Sequence, residues 1–139
     1  MVKEKLEVPI YSYTLWLIKL SFKDYKLKKK LTSEKIGLRS KTIDLDEETC
    51  KEIDESIGAG EYNGAITCHR GSQRQIVVLF YPIDDEERVV EIYNHEKRHV
   101  EDDILNFLNI NDLEAAAYLA GYLADKYDVA EEECVDRAN

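Results

Sequence analysis

Apolar and polar positions divide the chain into a strand-rich first half and a helical second half. The segment VPIYSYTLWLIKLSF, residues 8–22, is rich in β-branched and aromatic residues and predicts a strand. EYNGAITCHRGSQRQIVVLFYP predicts a hairpin with strands at 64–69 and 74–81, a turn at RGSQ and a stop at Pro82. Together these segments predict a small antiparallel sheet with helices in the N-terminal half.

Helical patterns occupy most of the remaining chain. Residues 23–36 are rich in lysine and end before Gly37, which predicts a short helix. DLDEETCKEIDESIGAG begins with an aspartate, has acidic residues in its first turn and has Gly58 after its end, which predicts a helix. DDEERVVEIYNHEKRHVEDDILNFLNI predicts a long helix, and NDLEAAAYLAGYLADKYD predicts another after a very short connection. The short connection favours antiparallel packing of this last pair.

The order of these elements predicts an α+β fold in a single domain that spans residues 1–139. A strand-rich half at 1–82 precedes the helix pair at 83–128. We expect residues 129–139 to fray as a tail. A chain of 139 residues suits one hydrophobic core of modest size.

Composition narrows the classes of function. No apolar run approaches the roughly 20 residues that a membrane-spanning helix needs, so no membrane partner is expected. The apolar part of the N-terminus is interrupted by Pro9, Ser12 and Lys19, which is not typical of a secretory signal, and we expect a cytoplasmic protein. The three cysteines are widely spaced without a CxxC pair, which disfavours a disulfide framework and a thiolate zinc site.

Negative charge is concentrated in the second half of the chain. The formal net charge is −10, and residues 83–139 hold 17 acidic residues against 5 basic ones. Such a surface should repel nucleic acid, so no nucleic-acid partner is expected. The basic run KDYKLKKKLTSEK, residues 23–35, lacks the interleaved aromatic residues and glycines of a nucleic-acid reader and is interpreted as a solvated helix face.

The segment HEKRH, residues 95–99, has the HExxH spacing of zinc hydrolases. His95 and His99 are four residues apart on a predicted helix, so their side chains share a face and can bind one ion. Glu96 projects beside them, where it can take a proton from a water whose pKa zinc lowers to about 7. The motif lies at the edge of an apolar stripe, and Glu96 is expected to be partly sheltered there. The stripe consists of Val89, Tyr93, Val100, Ile104 and Phe107.

A catalytic zinc site needs a third protein ligand beside an open position for water. The next helix offers Glu114, fifteen residues after His99, with Ala117 and Gly121 on the same face to leave room for an ion. Asn111 and Glu114 also have the spacing of a capping box, so Glu114 has an alternative role at the start of that helix.

Other residues near the motif have competing interpretations. Tyr118, one turn after Glu114, is a candidate donor to the transition state or a core residue. His69 is interpreted as a strand histidine with its own hydrogen-bond partner. Lys97 and Arg98 stand where hydrolytic versions of the motif usually carry uncharged residues, so a solvated, charged helix is the alternative to a metal site.

The block HEKRHVEDDILNFLNINDLEAAAYLAGYLADKY resembles the C-terminal part of short HExxH proteins of tailed phages and prophages, described as zinc metallopeptidases. Their pattern places HExxH before a DxEAxAYLxGY-type helix, and the resemblance covers only this part of the chain. It implies a zincin-like fold of minimal gluzincin type, with His95, His99 and Glu114 as Zn²⁺ ligands and Glu96 as the base. It also implies a peptide or protein substrate and, for a phage-encoded protein, the host cytoplasm.

Two functions from different classes therefore remain open. The first is a zinc-dependent metallopeptidase or related amide hydrolase, in which the strand RQIVVLFYP pairs with an extended substrate. The second is a non-enzymatic, acidic partner-binding protein whose zincin-like site is structural or vestigial. The sequence does not determine the substrate or the oligomeric state.

Overall fold

The computed structural model describes residues 1–27 and 31–132 and has an α+β fold built on a four-stranded mixed sheet. The strands are β1 Val2–Val8, β2 Tyr13–Lys19, β3 Ala65–Arg70 and β4 Gln75–Phe80, in the spatial order β1-β2-β4-β3. The pairs β1/β2 and β3/β4 are antiparallel, but β2 and β4 are parallel, with Thr14 opposite Gln75. The prediction of an antiparallel sheet is therefore wrong at the central pair, where no local turn specifies the pairing.

The helices are α1 Phe22–Leu27, α2 Ser33–Ile36, α3 Glu47–Gly58, α4 Glu86–Phe107 and α5 Leu113–Glu132. Two helices stand where one was predicted over 23–36. The strand predicted over 8–22 is confirmed as β2, but its bounds are too wide, because a turn with Ser12 at φ 54° separates β1 from β2. The hairpin strands, in contrast, lie within one residue of their predicted bounds. Of the predicted tail, residues 129–132 continue α5, and residues 133–139 lie outside the described residues.

Aspartate side chains begin the two longer helices that flank the sheet. The Asp46 carboxylate accepts a hydrogen bond from the Thr49 backbone N–H at 2.7 Å at the start of α3. At the start of α4, the Asp85 carboxylate accepts one from the Glu87 backbone N–H at 3.0 Å. Each bond satisfies a donor that the helix itself leaves unpaired, which explains why the helices begin there.

Helices cover both faces of the sheet. On β4, Ile76, Val78 and Phe80 face the core beneath α4 and α5, whereas Val77 and Leu79 face the core beneath α2 and α3. Every residue of β4 is buried, as expected for a central strand with a helical layer on each side. Within the described residues, no helix has the length and apolar character needed to cross a membrane.

The two C-terminal helices lie toward opposite edges of the sheet. The helix α4 packs on β3, the edge strand, through a hydrogen bond from Thr67 to Glu96. The helix α5 lies toward β1, the other edge strand, where the Tyr122 hydroxyl donates to the Glu7 carbonyl. The predicted stripe of α4 is confirmed for Val89, Tyr93, Val100 and Ile104, which are buried. Phe107 ends the stripe 51% exposed.

Candidate functional site

His95 and His99 lie on the exposed side of α4 with their Nε2 atoms 3.1 Å apart. The two ring centroids are 4.7 Å apart, and the rings meet edge to face. Two imidazole nitrogens bound to one tetrahedral zinc at about 2.0–2.1 Å lie about 3.3 Å from each other. The spacing of these two atoms therefore fits a shared metal ion, as the motif predicts.

Glu96 is turned away from the histidines toward the sheet, and it is 5% exposed. Its Oε2 accepts a hydrogen bond from the Thr67 hydroxyl on β3 at 2.5 Å. The prediction that this carboxylate is sheltered is confirmed. Sequence reasoning missed Thr67, because only the packing of α4 on the edge strand brings its hydroxyl to the motif.

The third histidine, His69, lies on the same face of β3 as Thr67, two residues further along the strand. Its Nε2 forms a hydrogen bond with the hydroxyl of the buried Tyr13 at 2.8 Å. The ring of Phe107 meets the imidazole edge to face, with centroids 5.5 Å apart. The interpretation of His69 as a strand histidine with its own partner is confirmed.

Asp103 is a further titratable group on α4, and sequence reasoning did not select it. Partial burial raises the pKa of its carboxyl group above the usual range, while His69 and His99 act in the opposite direction. Asp103 stands one turn of α4 after His99. The signal in the sequence was its position, four residues after His99, which places both on one face of the helix.

The structure does not bring Glu114 to the histidines. Glu114 is exposed at the start of α5. Its backbone N–H donates to the Asp112 carboxylate at 2.9 Å, so Asp112 satisfies this donor at the start of the helix. From His99, α4 continues to Phe107, a distance of about 12 Å, before the chain turns into α5. Because α5 then lies toward the β1 edge, it packs on the other flank of α4 from the motif.

Tyr118 also belongs to α5 and is 45% exposed, so its interpretation as a core residue is wrong. Across residues 1–27 and 31–132, no three histidine, cysteine, aspartate or glutamate side chains are grouped as a metal site would require. The described side chains thus supply two of the three protein ligands that a catalytic zinc ion needs.

The charged residues inside the motif are accommodated by ion pairs along α4. Lys97 Nζ lies 3.2 Å from Glu101 Oε1 in a largely buried pair, and Arg98 Nε lies 3.5 Å from Asp102 Oδ1 in an exposed one. Neither pair involves His95, Glu96 or His99. Lys97 and Arg98 therefore leave the histidine face of the helix unobstructed.

A cavity of about 250 Å³ opens between the first half of α4 and the start of β3, with His95 and Glu96 in its wall. We call it the α4–β3 cavity. Its wall also includes Asn63, Ala65, Arg88, Glu91 and Ile92. The histidine that can bind a metal and the sheltered carboxylate thus border a space where a ligand can lie.

The strand predicted to pair with an extended substrate, RQIVVLFYP, contains β4. That prediction is wrong, because β4 is hydrogen-bonded to β2 on one side and to β3 on the other. Among the described strands, β3 has a free edge on the side of the motif.

Comparison of the chain with protein-family models, with curated proteins and with solved structures gives no match.

Proposed function

We propose that this protein is a zinc-dependent hydrolase of the metallopeptidase type, with His95 and His99 as metal ligands and Glu96 as the general base. The observation that carries the proposal is the 3.1 Å approach of the two Nε2 atoms beside a buried carboxylate. The resemblance of HEKRH and the following segment to phage HExxH proteins supports the same chemistry. An edge strand, a central strand and the motif helix, consecutive in the chain, support a zincin-like fold.

Each motif residue has a distinct role in this proposal. Zinc, when bound, polarises the scissile carbonyl and lowers the pKa of water to about 7. Glu96 accepts a proton from the attacking water and transfers it to the leaving amine. The Thr67 hydroxyl holds Glu96 Oε2, so the carboxylate is kept in the wall of the α4–β3 cavity. His95 and His99 position the metal from the exposed side of the helix.

The third ligand has two candidates. Glu114 is the residue that the resemblance implies, but it would reach His99 only after a change in the position of α5. Asp103 is partly buried and lies four residues after His99 on the same face of α4, although it too is not grouped with both histidines as a metal site requires. Carboxylate oxygen is an accepted third ligand for zinc in either case.

We propose that an extended peptide substrate adds as a further strand along the free edge of β3. The side chains of Thr67 and His69 face the same side of that strand, toward α4. A peptide in this position would lie beside β3 at the edge of the sheet, with its main chain held by backbone hydrogen bonds. The proposed cleavage site is the peptide bond of the substrate that lies beside the histidine pair.

Elemental analysis of protein loaded with zinc and then dialysed tests the metal site directly. We expect about one zinc per chain in the wild type and none in His95→Ala or His99→Ala. Arg98→Ala is the matched control, because Arg98 lies in the motif but points into solvent. Asp103→Ala and Glu114→Ala compare the two candidates for the third ligand. Equal, low zinc in wild type and both histidine variants would show that HEKRH is only a charged helix.

Hydrolysis is tested separately with zinc-loaded protein and a peptide library. We expect cleavage by the wild type, and we expect Glu96→Gln to retain zinc while it loses cleavage, since only the proton acceptor is removed. If the zinc-loaded wild type cleaves no peptide, the hydrolase proposal is wrong.

The formal net charge of −10 favours a second candidate function, a non-enzymatic protein whose acidic surface binds a basic partner. Affinity capture from a lysate, combined with the library assay, separates the two. Clear hydrolysis without a stable partner removes this second function.

A further inference from the structure

We infer that the α4–β3 cavity is a specificity pocket for a basic side chain of the substrate, lysine or arginine. The inference rests on the proposed function, because it places the pocket next to the bond that Glu96 and the histidine pair would act on. His95 and Glu96 form part of the wall, so a side chain in this cavity belongs to a residue close to the scissile bond.

The size and floor of the cavity suit a single side chain. Its volume of about 250 Å³ lies below the range of about 300–1,000 Å³ typical of pockets for whole small molecules. Ile92 is 7% exposed and Ala65 is partly buried against the same core, so together they provide apolar surface. The aliphatic stem of a lysine or arginine packs well on such a surface while its charged end stays near solvent.

Charge at the cavity favours a cation. The wall holds two carboxylates, those of Glu91 and Glu96, and one cation, Arg88. The ion pairs found within the described residues involve neither Glu91 nor Arg88. The Glu91 carboxylate is therefore available to a substrate cation.

The rim of the cavity adds further negative charge. Asp84 lies at this rim, because its carboxylate accepts a hydrogen bond from Nδ2 of Asn63, a residue of the cavity wall, at 2.8 Å. The amino end of α4 contributes only about half a positive charge, which is less than the full negative charge of the Asp84 carboxylate. An acidic side chain would have to approach through this field, so we expect the pocket to reject it.

Peptides that differ at one position test the pocket. Fluorescent peptides with lysine, norleucine or glutamate at that position are titrated into metal-free protein, where binding is measured without cleavage. We expect the lysine peptide to bind about tenfold more tightly than the glutamate peptide, because lysine makes a favourable charge pair with Glu91 and glutamate makes an unfavourable one. The uncharged norleucine peptide should be intermediate. The same peptides, given to zinc-loaded protein, should show the same order in kcat/KM.

Glu91→Gln and Glu87→Gln are the matched variants. Both replace an exposed glutamate of α4, but only Glu91 lines the cavity. We expect Glu91→Gln to remove most of the preference for lysine over norleucine, and Glu87→Gln to retain it. If the glutamate peptide binds most tightly and Arg88→Gln abolishes that preference, the pocket is an anion site and the inference is wrong.

The two proposals fail in different ways. Cleavage without preference among the three peptides overturns the specificity pocket and leaves the hydrolase. A Glu91-dependent preference in binding, with no cleavage of any peptide by zinc-loaded protein, supports the pocket and overturns the hydrolase. Equal binding of all three peptides to wild type and Glu91→Gln overturns the pocket outright.

Discussion

The Thr67 hydroxyl on the edge strand donates a hydrogen bond to the Glu96 carboxylate on the motif helix. This bond joins β3 to α4 at a point where Glu96 is 5% exposed. A buried carboxylate is costly unless it is hydrogen-bonded, so the bond matters to the fold as well as to the proposed chemistry.

We expect Thr67→Val to lower the free energy of unfolding by about 1–3 kcal/mol, because a buried carboxylate loses its donor. Urea denaturation at pH 7 measures the change. Thr14→Val is the matched control, since its hydroxyl donates to the exposed Glu7 carboxylate at 3.3 Å. That control should change stability by less than about 0.5 kcal/mol. Equal effects of the two substitutions would contradict the importance of the buried bond.

Gly71 lies against the ring of Phe107, and a Cβ at this position would overlap the ring. We expect Gly71→Ala to destabilise the protein by about 1 kcal/mol, the lower end for overpacking, because the half-exposed ring can move. In a Phe107→Ala background, the same substitution should leave the free energy of unfolding almost unchanged. Gly58→Ala, with no heavy atom within 4 Å of its added Cβ, is the control. A full cost of Gly71→Ala without the ring would show that another contact is responsible.

Burial raises the pKa of the Cys68 thiol to about 12 and also raises that of Cys50. Because the thiolate is the reactive form, we expect Cys68 in the native protein to be alkylated on the order of a thousandfold more slowly at pH 8 than in urea. A Cys134→Ser variant restricts the measurement to these two thiols, and mass spectrometry after timed quenching assigns each site. Rapid labelling of Cys68 in the native state would disprove its burial.

Hydrogen bonds from the backbone and side chain of Thr49 hold the pKa of Asp46 below its usual range. A lowered pKa in the folded state means that the Asp46 cap stabilises the protein above the unfolded value of about 3.9, and that this contribution is lost as pH falls through the folded value. We therefore expect the urea midpoint of the wild type to fall further between pH 5 and pH 2.5 than that of Asp46→Asn, which keeps an uncharged cap. Parallel curves for the two proteins would contradict this role of Asp46.

The elements predicted well from sequence are those defined by neighbours along the chain. The hairpin of β3 and β4 and the start of α3 at Asp46 depend on a turn, a proline stop and a cap within a few residues. The shelter of Glu96 followed from helical phase alone, since α4 has one apolar stripe and must bury it. In the same way, the spacing of His95 and His99 determined that their nitrogens share a face.

The tertiary structure decided which partners these local elements meet. The parallel pairing of β2 with β4 joins residues as distant as Thr14 and Gln75, and no local signal specifies such a contact. The same packing places α4 over the β3 edge and α5 toward the β1 edge, so Thr67 lies near the motif while Glu114 does not. Helical periodicity shows which face of a helix is buried, but the side on which the next helix packs depends on how both fill one core.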